Sequence, residues 1–283
     1  MSVRPSAVAG LFYPGDAREL SAYISGTLHD ATALLSERSV EKSPEILSGE
    51  ASVPEAVIVP HAGYIYSGPT AACAYASLGN AALRDTAIRR VVLLGPAHRV
   101  AFYGMALPGC EAFATPLGYV RIDSAAIQEL LTFPDVQVND AAHAQEHSLE
   151  VQLPFLQTVL GDFALLPVCI GSVSPNAVAR VIESLREDAN TLFVISSDLS
   201  HYHAYDEAVQ RDRQSIDIIL AMHNELDHEQ ACGATGINAW LPVAKRHGLT
   251  AQLLDYRNSG DTAGDRDRVV GYASIAFFGR KNR

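Results

Sequence analysis

The sequence has few cysteines and no apolar stretch long enough to span a membrane. Its four cysteines, Cys73, Cys110, Cys169 and Cys232, include no CxxC pair, so neither a zinc knuckle nor a disulfide framework is indicated. No segment approaches the ~20 apolar residues of a membrane-spanning helix. The first residues also lack the apolar core of a signal peptide, and we therefore expect a cytoplasmic protein.

Basic residues are in the minority, with 21 Lys and Arg against 32 Asp and Glu, which gives a formal net charge of −11. No run of Lys or Arg is longer than two residues. A negative field of this size repels phosphate backbones and anionic lipid headgroups. We therefore expect neither nucleic acid nor a membrane as a partner.

The composition is that of a globular protein, with 48% hydrophobic and 19% charged residues in a chain of 283. No break in composition and no internal repeat divides the chain, which favours a single domain over residues 1–283. Residues 36–52 are polar and contain a Pro and a Gly, a pattern that predicts a surface loop.

Continuous apolar runs alternate with helical patterns along the chain. The predicted strands are residues 56–60, 90–95, 163–171, 191–196, 250–256 and 269–278. The predicted helices are residues 16–35, 69–78, 146–160, 175–187, 206–223 and 237–247. This alternation predicts an α/β fold, a single domain with a central mixed sheet covered by helices on both faces.

Histidines follow three of the four apolar runs in the body of the chain. His61 comes after the first run and His98 after the second, while Asp198, His201 and His203 follow the fourth. In open α/β sheets, ligands bind beyond the carboxyl ends of the strands. Because a neutral imidazole is the commonest protein ligand for metals, this placement predicts that His61 and His98 share one metal-binding pocket.

Simpler interpretations remain open at several of these positions. Asp198 is equally typical of a turn or a helix N-cap, and His201 of a solvated histidine. His203 has the pattern of a structural or exposed residue. At His61, by contrast, the nearby Gly63 and Gly68 indicate a close approach of the backbone to another group.

Two other groups are candidates for the same site. Glu146, His147 and Glu150 begin a predicted helix, where a Glu can orient an imidazole but also simply suits the helix dipole. Cys232 and Gly233 precede the last predicted helix. A thiol near a helix N-terminus favours its thiolate, although most lone cysteines are inert core residues.

Six segments carry most of these candidate residues. They are, in chain order, PHAGYIYSG (60–68), GPAHRV (95–100), EHSLEVQLPFL (146–156), SSDLSHY (196–202), ACG (231–233) and VVGYASI (269–275). In these segments and their order the chain resembles the Memo family, known in bacteria and archaea as AmmeMemoRadiSam system protein B. The N-terminal AGLFYPGD (9–16) and the later NSGDT (258–262) also look like its bacterial branch.

This resemblance implies a fold similar to class III (LigB-type) extradiol dioxygenases, which hold Fe(II) with two His and one carboxylate. Carried over by position, His61 and His98 match the two metal histidines. Cys232 matches the family's cysteine, where the dioxygenases have a glutamate, and His201 falls where they have a catalytic base. The resemblance therefore makes Fe(II) the first expectation, and Cu or Zn are alternatives because a thiolate is softer than a carboxylate.

Three functions follow as hypotheses. The first is a redox metalloprotein that oxidises a small-molecule substrate with O₂, with His201 as acid–base and with Asp198 and Glu146 as supporting site residues. The second, implied by the family, is a non-catalytic binding or accessory protein that works with AMMECR-type and radical-SAM proteins. The third is hydrolysis, either metal-dependent or with Cys232 as nucleophile and His201 as base. The sequence leaves open whether the protein is an enzyme.

Overall fold

The computed structural model describes residues 1–42, 53–79 and 88–279, and its centre is a β-sheet. The strands of these ranges join into one mixed sheet. They are β1 (Val3–Arg4), β2 (Ala56–Val59), β3 (Arg90–Pro96), β4 (Met105–Leu107), β5 (Ala112–Thr115), β6 (Gly118–Ile122), β7 (Val136–Val138), β8 (Ala164–Ile170), β9 (Thr191–Ser196), β10 (His201–His203), β11 (Thr250–Asn258) and β12 (Val269–Phe278).

Helices flank this sheet. None of those in the described ranges combines the length and apolarity needed to cross a lipid bilayer. They are α1 (Ala17–Lys42), α2 (Tyr64–Ser77), α3 (Ser124–Leu130), α4 (Asp140–Ala144), α5 (His147–Glu150), α6 (Leu153–Leu160), α7 (Pro175–Leu185), α8 (Tyr205–Leu220), α9 (Ala234–Arg246) and a 3₁₀ turn (Ser259–Asp261).

The strand order β1-β5-β6-β8-β3-β9-β2-β12-β10 places the most apolar strands in the middle of the sheet. All four residues of β2 are fully buried. Because successive side chains of a strand point to opposite faces, both faces of the sheet are covered there. The predicted α/β fold, one domain with a mixed sheet between helices, is confirmed. The likeness to extradiol dioxygenases stays an expectation.

Parallel pairing sets the position of the site. β2 pairs in parallel with β9, β9 with β3, and β3 with β8, while β12 runs antiparallel beside β2. The loops that follow β2, β3 and β9 therefore leave the sheet at the same edge. These are the loops that carry the histidines singled out in the sequence.

The first helix is longer than predicted. α1 continues to Lys42, so the predicted surface loop over residues 36–52 is wrong for residues 36–42. Arg38 explains the extension, because its guanidinium donates a hydrogen bond of 3.1 Å to the buried carboxylate of Asp255. The remainder of the predicted loop, residues 43–52, lies outside the described residues.

Two other helices differ from the predictions. α2 begins at Tyr64, before the predicted start at residue 69, and the Tyr64 N–H donates to the Phe12 carbonyl at 2.7 Å. The single helix predicted for residues 146–160 is two helices, α5 and α6. Pro154 has no N–H to donate to a carbonyl one turn back, which removes a hydrogen bond that a continuous helix needs.

Candidate metal centre

Three imidazoles meet at the carboxyl edge of the sheet. His61 follows β2, His98 follows β3, and His147 is the first residue of α5. Each offers one nitrogen, and these three atoms lie within 4.8 Å of one another. The ring centroids are 5.1 Å apart for His61 and His98, and 4.7 Å apart for His98 and His147. A group of this kind can hold a metal ion.

A thiol adjoins this group. The Sγ of Cys232 lies 3.2 Å from Nε2 of His61, and it also accepts the N–H of Asp198 at 3.3 Å. The backbone N–H of Cys232 donates a hydrogen bond to the Asp198 carbonyl at 3.2 Å, which fixes the position of the residue. Burial, reinforced by the charge of Asp198, raises the pKa of the thiol to about 12. A coordinated metal ion would displace this proton, because metal-bound thiols are deprotonated.

His61 is fixed on two sides. Its backbone N–H donates to Oδ1 of Asp198 at 2.7 Å, and its Nδ1 lies 2.9 Å from Oγ of Ser196. Burial first, and then the neighbouring histidines, lower the pKa of the His61 ring well below its usual value of 6.5. The ring is therefore neutral at pH 7, which is the form that binds metals.

His98 is oriented by Glu146. The backbone N–H of His98 donates to Oε2 of that carboxylate at 2.6 Å, and its Nδ1 lies 2.9 Å from Oε1. Burial opposes the charge on Glu146, but the contacts with His98 and the N–H of Ser148 outweigh it and lower the pKa of Glu146 to about 2. A carboxylate in this position fixes the plane of a metal-ligating imidazole. The His98 side chain is 29% exposed and faces solvent.

His147 is the third imidazole of the group. Its Nδ1 is buried and, among the described residues, has no hydrogen-bond partner. The Glu146 carboxylate is 3.4 Å away, and the Phe12 ring packs against the imidazole with centroids 4.8 Å apart. Burial lowers the pKa of His147 to about 4. The ring is therefore neutral at pH 7, and a neutral imidazole has one unprotonated nitrogen that can bind a metal ion.

The other predicted site residues lie nearby. Burial raises the pKa of Asp198. The hydrogen bond from the His61 N–H and the charges of His201 and His98 oppose this rise only in part. His201 begins β10, where it pairs with Val270. In the described part of the chain no hydrogen bond joins His201 to Cys232. His203 lies on the surface side, with its Nδ1 3.2 Å from Oε1 of Glu207.

A buried ion pair supports the loop that carries Glu146 and His147. The carboxylate of Glu150 pairs with the guanidinium of Arg4, and both side chains are buried. Tyr13 donates its hydroxyl to Glu150 at 2.6 Å, and Arg4 Nη2 donates to the Glu146 carbonyl at 3.0 Å. These contacts hold the N-terminal segment against the segment that carries Glu146 and His147.

The structure adds His147 to the candidate ligands of the sequence. The sequence signal for it was its position beside Glu146, which indicates an oriented imidazole but does not say whether the ring itself binds. The ligand set His61, His98 and Cys232 stays a prediction. Among described residues, the close group of three consists of His61, His98 and His147, and Cys232 touches it through His61.

Comparisons with known proteins identify the family of this chain. A family model described as "Memo-like protein" matches residues 4–276. A MEMO1 family protein of Ignicoccus hospitalis is 38% identical over 98% of this chain and 99% of its own length. A MEMO1 family protein of Methanopyrus kandleri is 37% identical over 97% of this chain and 98% of its own length. Another, of Aquifex aeolicus, is 35% identical over 98% of this chain and 100% of its own length. The chain therefore belongs to the Memo-like protein family.

Proposed function

We propose that this protein is a redox-active metalloprotein that holds iron, with copper as the alternative, and acts on a small-molecule substrate. The ligands are His61, His98 and Cys232, and His147 is a fourth candidate. The observation that carries this proposal is the thiol of Cys232 at 3.2 Å from Nε2 of His61, beside two further imidazoles.

The chemistry of the donors favours this class of metal. Imidazole nitrogen and thiolate sulfur suit iron, copper and zinc, whereas Mg²⁺ and Ca²⁺ prefer carboxylate and carbonyl oxygens. Glu146, whose carboxylate contacts two of the three rings, directs its oxygens at His98 and at the N–H of Ser148. It therefore acts through His98. Iron is placed first because the family resembles iron enzymes in fold.

The chain's own residues have separable roles in this proposal. A bound iron or copper ion supplies one-electron chemistry and a binding position for a small molecule. Glu146 orients His98, and Asp198 holds the backbone of His61. His201, close enough to stabilise the Asp198 carboxylate, accepts or returns a substrate proton. The partly exposed His98 marks the side from which substrate approaches.

Elemental analysis of protein purified without oxygen is the direct test. We expect iron or copper in the wild type, and loss of most of it in His61→Ala and Cys232→Ser. Cys110→Ser is the matched control, because this free cysteine lies outside the site. Oxygen consumption measured with a panel of catechols then tests whether the protein oxidises such substrates. A wild type without metal, or one whose metal content His61→Ala does not change, would contradict the proposal.

The alternatives predict other results. Hydrolysis by a Cys232–His201 pair has no support in the geometry, because burial raises the pKa of the thiol and no hydrogen bond joins the two side chains in the described ranges. An accessory role predicts co-purification with AMMECR-type and radical-SAM proteins that survives removal of the metal. That outcome, together with no oxygen consumption, would favour the accessory function.

A further inference from the structure

A chain of buried polar side chains lies behind His61, on the side away from Cys232. Ser196 contacts Nδ1 of His61 at 2.9 Å, and Gln152 donates from Nε2 to Oγ of Ser196 at 2.9 Å. Tyr75 completes the chain by donating its hydroxyl to Oε1 of Gln152 at 2.7 Å. Ser196, Gln152 and Tyr75 are each at most 1% exposed. We call these three residues the His61 relay.

Two backbone carbonyls fix the direction of every hydrogen bond in the His61 relay. A carbonyl oxygen only accepts. The carbonyl of Pro60, 2.9 Å from Gln152, must face the amide nitrogen, which sets the orientation of that side chain. The carbonyl of Ser148, 2.6 Å from Oγ of Ser196, must receive the only proton that the hydroxyl has.

This accounting determines the state of the imidazole. The Ser196 hydroxyl gives its proton to Ser148 and accepts one from Gln152. It has nothing left to donate to Nδ1 of His61, so it must accept from that nitrogen. We propose that Ser196 and Gln152 are positioning residues that hold His61 as the Nδ1–H tautomer, with the lone pair on Nε2 directed toward Cys232.

The consequence for the metal centre rests on the proposed function, but the tautomer itself does not. A neutral imidazole binds a metal only through its unprotonated nitrogen, and the hydrogen bond at the other nitrogen selects which one this is. With Nε2 free, His61 offers its lone pair on the side where the sulfur of Cys232 lies, 3.2 Å away. The ring is then ready to bind before a metal arrives.

Nitrogen NMR of metal-free protein tests this inference directly. Two-bond correlations in ¹⁵N-histidine-labelled protein near pH 7.5 report which nitrogen of each ring carries the proton, and the spectrum of His61→Gln assigns the resonance. We expect His61 to carry its proton on Nδ1. A ring protonated on Nε2 would overturn the inference, whatever the metal affinity.

A pair of serine variants tests the role of the relay. Ser196→Ala removes the acceptor, so we expect a mixture of His61 tautomers and a metal affinity about 10–100-fold lower. Ser215→Ala is the matched control, since it removes a buried hydroxyl that donates to the Arg211 carbonyl within α8 and makes no contact with the His61 relay. An unchanged tautomer in Ser196→Ala would also overturn the inference.

The two proposals fail in different ways. If the wild type binds no metal but shows the Nδ1–H tautomer, the metalloprotein proposal is wrong and the His61 relay is correct. If it binds metal but the metal-free ring is protonated on Nε2, the metal centre stands and the relay does not select the tautomer. Titration with Fe(II) and with Cu(I), followed on the same labelled sample, separates these results.

Discussion

The sulfur of Cys232 lies 3.2 Å from Nε2 of His61, although the two residues are 171 positions apart in the chain. The contact depends on two different parts of the fold. His61 leaves the end of β2, and Cys232 lies immediately before Gly233, the N-cap of α9. Tertiary structure alone therefore brings a soft sulfur donor next to a borderline nitrogen donor.

Cys232→Ala should reveal whether the thiol is a ligand. We expect metal affinity to fall by more than about 100-fold, because loss of a direct ligand should exceed the effect of losing a supporting contact. Any thiolate-to-metal absorption band should vanish. His147→Gln, measured beside it, decides whether the third imidazole also binds. Equal metal affinity in Cys232→Ala and wild type would remove the cysteine from the site.

Glu146→Gln should weaken the metal site without unfolding the protein. The neutral amide keeps the size of the side chain but loses the charge that orients His98, so we expect affinity to fall about 10–100-fold. Competition with a chelator measures it. Glu183→Gln is the control, because Glu183 contacts Arg246 and His247 away from the centre. A similar loss in both variants would argue against a specific role for Glu146.

Arg4→Leu should destabilise the fold strongly. The substitution leaves the carboxylate of Glu150 buried without its ion-pair partner, which costs about 3–5 kcal/mol. Urea unfolding measures the change. The double variant Arg4→Leu with Glu150→Gln removes the unpaired charge and should recover part of the loss. A destabilisation below about 1 kcal/mol would show that the pair is not needed.

His143 should make stability depend on pH in the acid range. Burial, its main effect, lowers the pKa of this ring from 6.5 to about 4 in the folded protein. Between pH 4 and pH 6.5 the unfolded chain binds a proton that the folded protein does not. The contribution of His143 to the free energy of unfolding is therefore fully present above pH 6.5 and is lost as the pH falls to 4. The loss amounts to about 3 kcal/mol.

The variant His143→Gln provides the comparison for this pH dependence. Its amide can replace the ring contact with the Ala106 carbonyl, which Nε2 of His143 makes at 2.9 Å, but it does not titrate. Free energies of unfolding measured at pH 7 and at pH 4.5 should therefore fall less in the variant. Parallel pH profiles for the two proteins would assign the acid sensitivity to other groups.

The sequence predicted the middle of the sheet well because its strands are continuous apolar runs. β2 and β9 were expected within a residue or so of their ends, and with them the exits that carry His61 and Asp198. The strands β4 to β7, by contrast, are three to five residues long and lack such runs. Whether such short segments form strands at the side of a sheet depends on the strands with which they pair, and the sequence pattern does not identify those partners.

The site was predictable to the extent that strand ends identify it. His61 and His98 follow from that rule, whereas Cys232 was a candidate from its place before a helix and was matched to a ligand position only by the family resemblance. The roles of Ser196 and Gln152 could not be predicted, because a serine at the end of an apolar strand and a glutamine in a helix are ordinary residues. Their meaning depends on two carbonyls, of Pro60 and Ser148, whose positions only the fold determines.

The candidate ligands are synthesised far apart in time, which limits when the proposed site can assemble. His61 and His98 emerge first, the third ring follows at residue 147, and the sulfur arrives only at residue 232. Glu150, the ion-pair partner of Arg4, is synthesised 146 positions after it. An ion offered during synthesis would encounter two unsupported imidazoles at most until residue 147 appeared. The proposed donor set is therefore complete only once residue 232 has been synthesised.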